Sequence, residues 1–151
     1  MKKLILFFVG ALTLLSCDID EGENIQMQYA EVSEIDLPEF FELGKTYNIE
    51  VTYLLPTGCH YSAGIDVRRI NNSAERWEIF VAGVASYDSS AGECTRDNPN
   101  PERTGTFTIR IDEDTVYAFH LWTGTDNNNQ PIFTIVEVPV GAPSGEVETE
   151  G

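Results

Sequence analysis

This sequence predicts an all-β chain, a seven-stranded antiparallel β-sandwich, on three observations. Apolar and polar residues alternate with period two over several segments, and the breaks between them are filled with Gly, Pro, Asn and Asp. From Gln26 onward no stretch carries the 3.6-residue period of an amphipathic helix. Seven short strands over about 115 residues are the pattern of a sandwich, and 151 residues supply one core and not two.

The elements follow in order. A weak run at residues 27–35 opens the body, and residues 46–55 form its clearest strand, with Tyr47, Ile49, Val51, Tyr53 and Leu55 on one face and Thr46, Asn48, Glu50 and Thr52 on the other. Residues 61–70 are a second weak run. Residues 77–85 and 132–140 are more continuously apolar, which predicts strands covered on both faces. Residues 105–111 return to alternation with Phe107, Ile109 and Ile111 inward. Residues 116–122 place Tyr117, Phe119 and Leu121 on one side and His120 and Trp122 on the other. Turn chemistry separates them: Gly44-Lys45, Pro56-Thr57-Gly58, Asn71-Asn72-Ser73, Asn98-Pro99-Asn100-Pro101, Asp112-Glu113-Asp114 and Asp126-Asn127-Asn128-Asn129. Residues 141–151 are acidic and nearly free of apolar side chains, a disordered tail that leaves 27–140 as the folded body.

The amino terminus has a different character. Met1-Lys2-Lys3 precedes twelve nearly all apolar residues, the layout of a secretory signal over residues 1–16 and too short for a span of about 20 residues. Leu14-Leu15-Ser16-Cys17 resembles the lipobox of bacterial lipoproteins, which implies that Cys17 is lipidated on its sulfur and becomes the first residue. The acyl chains would then be the membrane partner. Residues 17–26 read as an acidic tether. Acids directly after such a cysteine resemble the export signal of Bacteroidota lipoproteins, whereas in enterobacterial lipoproteins an Asp there resembles an inner-membrane retention signal. The expected location is the cell envelope, as a surface-exposed outer-membrane lipoprotein. Signal removal leaves 7 Lys and Arg against 25 Asp and Glu, and a net charge near −18 repels nucleic acid and anionic headgroups alike. Seven of those acids lie in tether and tail.

With Cys17 lipidated, Cys59 and Cys94 remain as a pair in an oxidising compartment, and a disulfide is expected. Zinc is not, because Cys59, His60, Cys94 and His120 show no ligand spacing.

Asp114-Thr115-Val116-Tyr117-Ala118-Phe119 resembles the tyrosine corner and sixth strand of the immunoglobulin-like class. That resemblance implies that the B–C, D–E and F–G connections share one end of the molecule, braced by Cys59–Cys94. The candidate ligand-binding residues are then His60, Tyr61, Trp122, Asp126 and Asn128, with Tyr61 and Trp122 forming one exposed aromatic patch beside the bridge.

No GxSxG, HExxH or phosphate loop occurs, so neither a catalytic residue nor a cofactor is expected. Asp112-Glu113-Asp114 and Asp126–Gln130 lack the alternating ligand pattern of a calcium loop. Asp114-Thr115-Val116 also resembles a Bacteroidota O-glycosylation triplet. Leu55-Pro56-Thr57-Gly58-Cys59-His60-Tyr61 resembles the B–C motif of chagasin-like cysteine-protease inhibitors, but the sequence departs from their D–E and F–G motifs. The whole chain, with Phe41-x-x-Gly44-x-x-Tyr47, resembles small Bacteroidota surface lipoproteins. The functional expectation is a lipid-anchored, non-catalytic envelope module for a protein or glycan partner. The alternatives are a protease inhibitor and a purely structural lipoprotein.

Overall fold

A computed structural model describes residues 24–70, 76–95 and 99–141. The signal segment, Cys17, most of the tether, the Asn71-Asn72-Ser73 turn, Asp97-Asn98 and the tail from residue 142 lie outside the described residues. The described chain is all-β, as expected, with seven strands: β1 (Ile25–Ile35), β2 (Thr46–Leu54), β3 (Tyr61–Ile70), β4 (Arg76–Asp88), β5 (Glu102–Arg110), β6 (Val116–Thr125) and β7 (Pro131–Val138).

The strands form one mixed sheet in the order β5-β2-β1-β4-β6-β7, with β3 on the other edge of β4. The sheet folds over because β1 changes partner midway. Ile25 to Ala30 pair with β4, ending at Ala30↔Gly83, and from Glu31↔Leu54 onward the strand pairs with β2. This sets β2 and β5 face to face with β3 and β4. Two glycines mark the closest approach: a Cβ on Gly83 would lie 2.5 Å from the buried Tyr53 ring, and one on Gly105 would lie 2.9 Å from Ile65 Cγ2.

The core is the set of inward alternating positions: Ile49 and Val51 from β2, Ile79 and Val81 from β4, Ile109 from β5, Tyr117, Phe119 and Leu121 from β6. A smaller cluster of Ala30, Tyr53, Leu55 and Ala85 fills the end where β1 begins. Phe41, outside any strand, is fully buried and packs its ring against Tyr47, Tyr117 and Phe119 at centroid distances of 4.8, 5.6 and 6.1 Å. The Phe-x-x-Gly-x-x-Tyr segment is therefore a plug. Gly44 turns the chain at φ +81°, and the Glu42 amide donates to the Tyr47 hydroxyl at 2.8 Å. At the same end Arg69 lies 3.8 Å above the Trp77 ring, pairs with Asp112 at 2.9 Å, and Tyr117 donates to that carboxylate at 3.3 Å. Tyr117 is the tyrosine of the segment that resembles a tyrosine corner, and its hydroxyl partner is Asp112.

Three expectations need correction. The arrangement is not purely antiparallel: β4 and β6 pair in parallel from Arg76↔Val116 to Val81↔Leu121. Parallel neighbours need a crossover, and β5 supplies it by returning the chain through the opposite layer. Alternation reports a strand's faces and is blind to its edge partners. Second, β4 is central, bonded on both edges, which explains its continuous apolar run. The similar run in β7 does not mean burial, because Ile132 and Ile135 are 47% and 50% exposed on a strand bonded only to β6. Third, β1 begins at Ile25, so the last two residues of the expected tether belong to the sheet.

Candidate functional site

The strand exchange along β4 creates the site. On one edge of β4, β6 pairs as far as Val81 and β1 takes over at Gly83. Beyond Leu121, β6 parts from β4, helped by a bulge between Trp122 and Gly124 where Thr123 is the extra residue and Gly124 adopts φ +140°. A groove of about 750 Å³ opens at this junction. Its walls are rings from outward positions of three strands: Tyr29 of β1, Phe80 of β4 and Trp122 of β6, completed by Phe133 of β7. Tyr29 and Trp122 lie 5.8 Å apart at 52°, and Phe80 meets Phe133 edge-on at 5.4 Å.

A polar network from β3 borders these rings. Arg68 Nη2 pairs with Asp66 Oδ2 at 2.7 Å and donates to the Tyr29 hydroxyl at 3.0 Å, and that hydroxyl donates to Asp66 Oδ2 at 3.0 Å. Residues two apart on a strand share a face, which puts Asp66 and Arg68 side by side opposite Ala82 and Phe80. The Arg68 guanidinium holds the Asp66 carboxyl below its ordinary pKa, and burial with the neighbouring carboxylate pushes Tyr29 above its own. Deeper on the same face His120 stacks on Phe80 at 4.5 Å, hydrogen-bonds with Glu78 and meets Phe133 edge-on.

The sequence-predicted residues divide between bracing and binding. Cys59 and Cys94 form the expected disulfide, tying the β2–β3 connection to the β4–β5 connection. His60 is built into the first of these. Gln28 Nε2–H donates to His60 Nε2 at 2.8 Å, so the neutral ring carries its proton on Nδ1 and donates to Thr57 Oγ1 at 2.8 Å. Its ring lies against Tyr87 at 4.9 Å, and burial holds its pKa below the ordinary value. Asp126 closes the β6–β7 turn, its Oδ1 accepting from the Asn128 and Gln130 amides at 2.7 and 2.8 Å. Asn128 is exposed within that turn, while Asn129, at φ +59°, reaches the groove.

Trp122 lines the groove, but its aromatic partner is Tyr29. Tyr61, 58% exposed, pairs with Ser86 near the far end of β4 and is not part of the lining. Tyr61 stands three residues of β4 beyond the strand exchange at Gly83, away from the groove that Trp122 lines. Tyr29, Asp66, Arg68, Phe80 and Phe133 escaped the sequence reading. For Phe80 and Phe133 the signal was an aromatic side chain within an apolar run that reads as covered on both faces, whereas Tyr29, Asp66 and Arg68 lie in the two weak runs and carry no such signal. Comparison with protein-family models, curated proteins and solved structures finds no match.

Proposed function

We propose that this protein is a lipid-anchored cell-envelope module that binds a ligand in the groove at the β1/β6 exchange and performs no catalysis. The observation that carries the reading is the cluster of Tyr29, Phe80, Trp122 and Phe133 on an outer sheet face, beside a pinned Asp66–Arg68 pair. A concave, mostly apolar site with a few fixed polar groups is the usual form of a small-ligand site, and an outer face serving only stability would carry polar side chains. The fold is in this reading a variant of the immunoglobulin-like sandwich. The β1–β2, β2–β5 and β6–β7 pairings support it, with β4 inserted between β3 and β6.

The anchor sets the orientation. The described chain enters at Asn24, whose carbonyl accepts from the Ser89 amide at 3.0 Å at the disulfide-braced end. From a lipidated Cys17, seven residues span at most about 25 Å, so that end sits close to the outer membrane and the groove opens sideways. Leu55 is fully buried, and Thr57 and His60 bond within their own loop, so the residues of the inhibitor-like motif serve the fold.

The test is metabolic labelling with an alkyne fatty acid, together with a thermal-shift screen of the full chain against neutral saccharides, proline-rich peptides and aromatic compounds. Labelling lost in Cys17→Ser, and stabilisation by some compound lost in Trp122→Ala, are expected. An unlabelled chain, or a screen without any Trp122-dependent stabilisation, contradicts the proposal.

A further inference from the structure

Resting on that reading, we infer that the groove takes a neutral saccharide. The charges bordering it cancel: one carboxylate, Asp66, and one guanidinium, Arg68, are bonded to each other at 2.7 Å and held by Tyr29. A cationic ligand finds the carboxylate already paired. A polyanion meets a chain of formal charge −16. What remains is a ligand without net charge.

The remaining chemistry narrows the class. The Asp66–Arg68–Tyr29 contacts use Oδ2 and Nη2, leaving Asp66 Oδ1 and the other guanidinium N–H groups as a fixed acceptor and a fixed set of donors about one residue pair apart. Such a planar array suits vicinal hydroxyls, each of which both donates and accepts. The rings of Trp122 and Tyr29, inclined at 52°, offer flat apolar walls to the C–H faces of sugar rings. Sugars combine those two surfaces in one neutral molecule.

An extended peptide is the competing ligand, and it would take the edge of β6 beyond Leu121 rather than the floor of the groove. That floor is the Ala82 side chain of the central strand, whose backbone is bonded to β3, while the neighbouring Val81 side chain turns into the core. Peptides that add to a sheet need an open strand edge for their own amides and carbonyls. Hydroxyl groups need none.

The test is a fluorescence titration of the full lipidated chain in a detergent without a sugar headgroup. The probes are neutral gluco-, galacto-, manno- and xylo-oligosaccharides, a uronic-acid oligosaccharide and a proline-rich peptide. Trp77, beneath Arg69 at the core edge, is the internal reference, and Trp122 is the reporter. At least one neutral series should change the emission saturably, with the uronic acid about tenfold weaker or worse. Trp122→Phe should abolish the signal, and Arg68→Met, which leaves the rings in place, should weaken binding about tenfold by calorimetry. Binding of the peptide and of no saccharide overturns this inference while leaving the binding-module reading intact. Silence with every probe, in a chain whose far-ultraviolet circular dichroism is that of a folded sheet, overturns both.

Discussion

The fold-over of the sheet makes a sharp demand on Gly83. A Cβ at this position would sit 2.5, 2.6 and 2.8 Å from Cδ2, Cγ and Cβ of Tyr53, where ordinary contacts begin near 3.5 Å. Tyr53 has no room to retreat: its ring is fully buried and its hydroxyl is bonded to Ser62 Oγ at 2.5 Å. Inserting one methyl group into a rigid core costs about 1–3 kcal/mol, and the immobile ring puts Gly83→Ala at the upper end, about 3 kcal/mol. For a domain of this size that corresponds to a fall in Tm of about 10 °C. Gly105→Ala is the matched comparison. Its Cβ would meet the Ile65 methyl Cγ2 at 2.9 Å, with the next atoms at 3.6 Å, and Ile65 is only partly buried, so a loss of about 1 kcal/mol is expected. Thermal and urea denaturation of both variants measures the difference. Equal stabilities, or a Gly83→Ala chain as stable as the parent, would refute the packing of β4 on β2 in this register.

Other expectations follow from the same contacts. Replacing Cys59 and Cys94 by Ser frees a loop with a sequence separation of 35 and should cost about 3–4 kcal/mol in urea denaturation, while reductant should leave the double variant unaffected. Phe41→Ala empties a site filled by three aromatic contacts and should cost about 3–5 kcal/mol, although the residue lies in no strand. Burial holds the folded pKa of His60 below the ordinary imidazole value of 6.5, so its contribution is complete above that value and is lost as pH falls through the folded pKa. Tm should therefore drop as pH falls below the ordinary imidazole value in the parent, and more shallowly in His60→Gln.

The strands were legible because alternation is written into each segment: Tyr47 to Leu55 and Phe107 to Ile111 declare an inner face whatever their neighbours. The disulfide was legible from the pair of cysteines left once Cys17 is set aside and from the oxidising compartment expected of the chain. What pairs with what was not. Nothing in residues 77–85 says that their edge accepts β6 in parallel and then β1 antiparallel, because backbone hydrogen bonds are common to all residues and the switch depends on β5 crossing the opposite layer. The groove exists only through that switch, so its residues come from strands distant in sequence, as Tyr29 and Trp122 do. The role of Asp126 in its own turn was not legible as such: its Oδ1 accepts from two amides of the same loop.

The claim that function resides in this groove is tested most directly by the two indole N–H signals of the ¹⁵N-labelled chain. Trp122 lines the groove and Trp77 packs under Arg69, so neutral oligosaccharide should move one signal, the one missing in Trp122→Phe, and leave the other in place. Movement of the Trp77 signal alone, or of neither at saturating saccharide, would contradict the account.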